Sequence, residues 1–598
     1  RRCGTNMRGG VGARASPTRA AAPGRCAVGT RLARAMTVAS RRGHGGRGVR
    51  HARTHVFAPL VRPEPAEGEL PLVDPEELVL VDGELGPVLR PEPKDSDVAR
   101  EAWYLRNILT ADVYDVAIES PLELTPRLSE RIGANIYLKR EDLQPVFSFK
   151  LRGAYNKMKQ LTEEERARGV ITSSAGNHAQ GVALSGQKLG CKAIIAMPVT
   201  TPAIKVEAVR RLGGVVELVG ENYDATQAYA KKRSEEEGLT YIPPFDDPYV
   251  IAGQGTVGVE VLRQLPTAEI VFVPIGGGGL AAGMAAYIKA IRPEVKVIGV
   301  EPAGANAMAI SLSRGEIVKL SKVDGFADGV AVREPGRDCF EIIQNMIDGI
   351  ITVKTDQIAA AIKDVFGDTR SILEPAGAVA VAGAKAYCAA HGVTGNVVAV
   401  TSGANMNFDR LRVISEIADQ GGKEEATLLS IIPEKNGEFK RFVETVGDIN
   451  ISEFKYRVQG PDARVLYSIE VSDIQAVQDT MARMQALGFK TVDLSNDATT
   501  QFHLRHMTGG QSKVPNERLY KVEIPERAGA LGNFLDFISP KWSISMTHYR
   551  NDGGRVGQVL FGVQVPEEER EDFEKCLDGC GYKHDDMSGN VAFKTLFG

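Results

Sequence analysis

The first candidate for covalent chemistry is Lys150. It stands in Val146-Phe147-Ser148-Phe149-Lys150-Leu151-Arg152-Gly153, between an aromatic-rich stretch and a helix start. A lysine must lose its proton before it forms a Schiff base, and apolar surroundings favour that loss by disfavouring the charged form. Alone the motif is weak, because a lysine beside phenylalanine is ordinarily a surface residue with a buried stem.

Three further segments add chemistry. Residues 173–181 read SSAGNHAQG directly after the apolar run GVITS. Small residues at a strand-to-helix turn leave backbone N–H groups free for an anion, and a substrate carboxylate is a natural guest. Ser174, Ala175, Gly176, Asn177 and His178 are the candidate substrate contacts. His178 invites a general-base reading, but a structural histidine satisfied by hydrogen bonds is the plainer account. Gly276-Gly277-Gly278-Gly279-Leu280 lies between a strand and a helix, and four consecutive glycines permit close backbone approach to a phosphate. No Gly-Lys-Ser/Thr follows, and the glycine spacing does not fit the dinucleotide fingerprint, so a monophosphate suits it better. Ser402 ends the strand segment NVVAV, where a hydroxyl can meet a heteroaromatic nitrogen.

These turns need elements to hold them. From about residue 101 to 418, short apolar runs alternate with amphipathic helical stretches. KAIIAMP (192–198) reads as a buried strand. Thr201 caps a following helix with Pro202 at its first position. GVVELVG, EIVFVPI and KVIGVEP read as further strands, and an Ala-rich helix spans 281–292. Strand–helix–strand units at this spacing predict an α/β fold with parallel sheets flanked by helices, and ligands at the carboxyl ends of the strands.

After about residue 424 the chain repeats itself. Ile432-Pro-Glu-Lys-Asn-Gly437 echoes Ile524-Pro-Glu-Arg-Ala-Gly529, Phe442 matches Phe534, and VLYSIEV (465–471) matches VLFGVQV (559–565). The near-constant offset predicts two copies of one βαββα-like unit, spanning 424–510 and 514–598. Neither copy contains a catalytic constellation, which suggests effector sensing.

The bulk numbers exclude several classes. The chain has 598 residues, a formal charge of −4 and a pI near 6.2, which gives no reason to expect nucleic-acid binding. No apolar run is long enough for a membrane helix. The seven cysteines lack paired zinc spacing, and Cys576 and Cys580, which could share a helix face, read as small buried hydrophobes. Residues 1–60 are Arg-rich, and no Asp or Glu occurs before Glu64, which reads as an organellar transit peptide. Residues 61–100 turn acidic and Pro-rich, and read as a mobile lead-in to a catalytic domain at 101–420.

Taken together, the lysine, the Asn-bearing loop, the tetraglycine and the Ser-Gly pair resemble the fold-type II pyridoxal-phosphate (PLP) enzymes, the tryptophan synthase β family. Within it the chain is similar to the plant-type biosynthetic threonine dehydratases, which carry tandem ACT-like regulatory domains. YLRNIL, FADGVAV, EPAGA and SGANMNF also carry that likeness.

The resemblance implies that Lys150, beside Phe149, is the Schiff-base lysine and takes the substrate's α-proton. It implies that Asn177 meets the cofactor's ring hydroxyl, Gly276 to Leu280 its phosphate and Ser402 its pyridine nitrogen. The implied reaction converts L-threonine, and secondarily L-serine, to a 2-oxo acid and ammonia. Isoleucine inhibits and valine opposes it, in a homotetramer of the chloroplast more than the mitochondrion. Tyr456, Arg505, Tyr549 and Arg550 are the candidate effector residues. Serine racemases carry a serine where Ala175 stands and an aspartate where Ala307 stands, so neither racemisation nor a metal beside Glu301 is expected. Another fold-type II lyase, serine-preferring or a β-replacement synthase, is the nearest alternative. A silent amino-acid-binding regulator is a more distant one.

Overall fold

A computed structural model describes residues 70–92, 95–421 and most of 425–596; the stretches 434–437, 505–514, 526–533 and 551–555 are among those outside it. The organellar leader expected over 1–60 lies outside the described residues.

Two sheets build the catalytic half. The larger has six strands in the order Gly349–Val353, Lys296–Pro302, Ile270–Pro274, Asn396–Val400, Asn135–Lys139 and Leu122–Leu124. All neighbours are parallel except the last pair. The smaller sheet is wholly parallel, in the order Val215–Leu218, Ala193–Met197, Val170–Ser173 and Thr240–Tyr241. Ile270–Pro274 and Ala193–Met197 are buried along their whole length, as strands covered by helices on both faces must be. The predicted strands therefore appear in the predicted α/β arrangement. The helix expected to open at Pro202 begins instead at Ala203, because Pro202 itself is extended (φ −57°, ψ 140°).

The helix Lys150–Lys159 crosses Pro248–Gln264 almost backbone to backbone. A Cβ on Gly153 would lie 2.7 Å from the Val250 carbonyl oxygen, and one on Gly253 would lie 2.8 Å from the Gly153 Cα. Only glycine allows that approach, and it fixes where the first turn of the lysine helix sits.

The acidic lead-in is not a loose arm where it is described. Leu72–Val73 pairs in parallel with Lys319–Leu320. The Gly86 amide donates to the Ile350 carbonyl at 2.6 Å, and the Arg90 guanidinium donates to the carbonyls of Asn345 and Ile347. Gly349–Val353 is an edge strand, and an unpaired edge offers hydrogen-bonding groups to any extended segment. Composition alone does not reveal such a partner.

Each regulatory repeat forms a four-stranded antiparallel sheet. The orders are Ile451–Gln459, Asp462–Glu470, Glu425–Pro433, Lys490–Asp493, and Ile544–Arg550, Val556–Gln564, Glu517–Pro525, His584–Asp586. The repeat unit thus ends in one strand more than expected. The repeat-matched aromatics make the same contact twice: Phe442 meets Tyr467 edge-on at 4.9 Å, and Phe534 meets Phe561 edge-on at 5.2 Å. Cys576 and Cys580 are free thiols packed beside the second core. Among the described residues, no helix is long and apolar enough to cross a membrane.

Candidate active site

Lys150 is the first residue of its helix, with Phe149 at the N-cap. Two residues on, the Arg152 guanidinium is locked by Glu141 and Glu260, while Lys139 also reaches Glu260; all four side chains are fully buried. Charges this deep persist only when paired and hydrogen-bonded, so the cluster fixes the helix that carries Lys150. The Lys150 Nζ donates to the Pro244 carbonyl at 2.8 Å. It also lies 5.3 Å from the Phe149 ring centroid and 6.0 Å from that of Phe245. Burial pushes its amine down to about 8. This is the neutralising, aromatic setting that covalent amine chemistry requires.

Phe245, one residue beyond the Lys150 acceptor, also packs on the glycine loop. A Cβ on Gly277 would lie 2.4 Å from the Phe245 ring, and one on Gly279 would lie 2.9 Å from the Phe245 carbonyl oxygen. Gly278 has φ +104° and caps the helix Gly279–Ile291. The first N–H groups of that helix have no acceptor within the helix, and its dipole favours an anion there. Leu280 is buried on the first turn.

Asn177 opens the helix Asn177–Leu189 after the N-cap Gly176. Its side-chain amide donates to Glu374 Oε1 at 2.6 Å and accepts from Asn405 Nδ2 at 2.7 Å. The amide is therefore held with a defined orientation and keeps one N–H to offer. Burial, and then the nearby Asp328 charge, push the Glu374 carboxyl up to about 8. Ser174, Ala175 and Gly176 form the half-buried turn before that helix, and Ser174 Oγ accepts from the Gly176 amide at 3.3 Å.

The His178 side chain follows the structural reading and not the general-base one. Its ring is buried, Nε2 lies 2.9 Å from the Ile242 carbonyl, and burial holds its pKa down at about 3. The side chain ties the helix to the smaller sheet as a neutral imidazole, so it serves as the structural histidine.

Ser402 follows the strand Asn396–Val400, and its hydroxyl donates to the Ala376 carbonyl at 3.2 Å. Its own carbonyl accepts from the Phe149 amide, next to Lys150. The Ser148 hydroxyl is buried with no hydrogen-bond partner in the protein. A buried orphan hydroxyl next to a low-pKa lysine, a glycine-lined helix N-terminus and an oriented Asn amide together fit a small phosphorylated aldehyde with a polar ring. Pyridoxal phosphate has these groups.

Sequence reasoning missed Glu374, Asn405, Ser148 and the Pro244–Phe245 turn. The first two lie in the EPAGA and SGANMNF strings, and a charged residue beside Pro-Ala-Gly was the available signal for Glu374. The Glu301 carboxylate accepts from the Met308 and Ala309 amides at 3.0 and 2.8 Å. Both of its oxygens thus cap the helix Ala307–Arg314. Of the effector candidates, Tyr456 lies opposite Val465, Tyr549 opposite Val559 and Arg550 opposite Gln558 in their sheets. The two tyrosines therefore hold equivalent positions in the two repeats. Arg505 lies outside the described residues.

This fold and site define a pyridoxal-phosphate-dependent enzyme, and the family of that description matches residues 113–403. The C-terminal regulatory domain of threonine dehydratase matches twice, over 416–504 and 508–597. The chloroplastic biosynthetic threonine dehydratase of Arabidopsis thaliana is 54% identical over 541 residues, covering 89% of this chain and 91% of that one. The mitochondrial threonine dehydratase of Saccharomyces cerevisiae is 46% identical over 511 residues, covering 82% and 89%. The solved structure of the processed threonine deaminase isoform 2 of Solanum lycopersicum superposes with a TM-score of 0.58 at 53% identity, covering 60% of this chain and 99% of that one. The chain belongs to the biosynthetic threonine dehydratase family.

Proposed function

We propose that this chain converts L-threonine to 2-oxobutanoate and ammonia, the committed step toward isoleucine, under feedback inhibition by isoleucine. The observation that carries the catalytic half is the buried Lys150 amine held beside the glycine loop by Pro244 and Phe245. The paired regulatory repeats carry the other half.

Pyridoxal phosphate, when bound, supplies the electron sink for the pair left at the substrate Cα. Lys150 anchors it and takes the α-proton, which a neutral amine with a pKa near 8 is suited to do. The N-terminus of Gly279–Ile291 would hold the phosphate, and the buried Ser148 hydroxyl, which has no partner within the protein, is free to donate to a bound group. Asn177 would orient the ring through its free N–H, and the Ser402 hydroxyl, turned from the Ala376 carbonyl, would serve the ring nitrogen as a neutral partner. The turn Ser174–Gly176 receives the substrate carboxylate. Loss of the β-hydroxyl as water leaves an enamine, which water hydrolyses to the 2-oxo acid and ammonia.

L-Serine is a secondary substrate in this reading, valine opposes isoleucine, and the protein works as a homotetramer in the plastid stroma. The chloroplastic relative supports the plastid over the mitochondrion. Ala175 supports elimination over racemisation, since it offers no second acid or base on the opposite face of the substrate. The test is 2-oxo acid release from L-threonine, L-serine and D-serine by the PLP-loaded protein. A preference for L-threonine of at least several-fold supports the assignment, and a preference for L-serine replaces it with the serine-dehydratase alternative.

A further inference from the structure

The segment Phe326-Ala327-Asp328-Gly329-Val330 runs along the active site. A Cβ on Gly329 would lie 3.7 Å from Glu374 Oε1 and 3.9 Å from Asn177 Nδ2, and one on Gly276 would lie 3.0 Å from the Val330 Cα. This loop therefore touches both the glycine loop and the Asn177–Glu374 pair. A small shift in it alters the space offered to substrate and cofactor.

The loop is gripped from two sides. On one side, Lys205 of the helix Ala203–Arg211, beside the smaller sheet, pairs with Asp328 at 2.9 Å. On the other, Arg410 donates from Nη2 to the Phe326 carbonyl at 2.9 Å, lies 5.6 Å from the Phe326 ring centroid, and has Nη1 4.0 Å from Asp328. Arg410 is almost fully buried, and a planar guanidinium that stacks and donates at once is not replaced by lysine.

Arg410 is also the first residue of the helix Arg410–Gly421. Ile414 and Ala418 of that helix are buried in the same apolar cluster as Ala327 and Val330. Beyond residues 422–424 the chain enters Glu425–Pro433, one of the two inner strands of the first regulatory sheet. One packed helix thus joins the regulatory half to a side chain that holds the active-site loop.

We propose that Arg410 is a positioning residue that couples the regulatory repeats to the substrate loop through Phe326 and Asp328. This rests on the isoleucine-regulated threonine dehydratase reading above. A regulatory half that displaces the helix start moves the Arg410 contacts with it. The loop then takes a second position with a different affinity for substrate, and differential affinity of that kind is what allosteric control requires.

The test uses the full-length PLP-loaded protein, its Arg410→Ala and Arg410→Lys variants, and Asp328→Asn in case the alanine variant does not fold. Hydrogen exchange is followed over residues 324–332, with the KM and kcat for L-threonine and the midpoint of isoleucine inhibition. For Arg410→Ala the proposal expects faster exchange confined to that loop, a KM change larger than the kcat change, and an isoleucine midpoint moved by roughly fivefold or more. Arg410→Lys and Asp328→Asn should show weaker versions of the same pattern. Folded variants with the wild-type isoleucine midpoint would overturn it, whether or not loop exchange changes, because Arg410 would then not read the regulatory half. An isoleucine-insensitive wild-type protein would be a different failure: it removes the regulatory reading, and this coupling with it.

Discussion

The Lys150 amine and the Pro244 carbonyl meet at 2.8 Å, across 94 residues of sequence. The contact brings the lysine helix to the turn whose next residue, Phe245, closes over the glycine loop. Two motifs that are far apart in the chain thus meet at one turn.

Because burial lowers the Lys150 amine to about 8, its reactive neutral form grows as pH rises through that value. The rate of covalent cofactor capture by the apoprotein, followed by visible absorbance, should rise between about pH 7 and 9 and then level off. Lys150→Ala should abolish both the absorbance band and turnover. A capture rate that keeps rising to pH 10.5 would place the lysine in ordinary water.

Glu374 gives a stability signature. Burial pushes its folded carboxyl up to about 8, from an ordinary value of about 4.5. A raised pKa means stability that is fully present below about 4.5 and is lost as pH rises through 8. Wild type should therefore lose melting temperature relative to Glu374→Gln between pH 5 and 8. Parallel melting curves across that window would show that the carboxyl is not forced to hold its proton.

The glycine loop is tight on the protein side. Gly277→Ala places a methyl group 2.4 Å from the Phe245 ring, an overlap of a kind that costs about 1–3 kcal/mol in a packed site. We expect weaker cofactor binding, measured by equilibrium dialysis, and partial recovery on adding Phe245→Leu. Equal cofactor affinity in the single variant would show that Phe245 swings aside freely.

Arg152 bridges Glu141 and Glu260 with all three side chains buried. Arg152→Ala leaves two carboxylates short of a partner and should cost about 3–5 kcal/mol in denaturant unfolding. A loss under 1 kcal/mol would mean that Lys139 alone compensates.

The parts legible in sequence were those written locally. Lys150, the glycine run and Ser402 each stand in a short string whose turn chemistry is readable. The repeat offset matched Phe442 with Phe534 and Tyr467 with Phe561; that each copy packs its two rings edge-on is seen only in the fold. Glu374 and Asn405 were not legible as partners of Asn177, because Glu374 caps the helix Pro375–His391 while Asn405 follows the strand Asn396–Val400, and only the folded chain brings them together. His178 was ambiguous until the Ile242 carbonyl appeared beside it. The segment 70–92 was misread because its acidic, Pro-rich composition hides the edge-strand contacts that hold Gly86 and Arg90.

The most direct test of the account is 2-oxobutanoate release by the PLP-loaded protein from L-threonine, with and without isoleucine. The account predicts turnover that isoleucine suppresses and that Lys150→Ala abolishes. A yellow, PLP-loaded protein that releases no 2-oxo acid from L-threonine would contradict it.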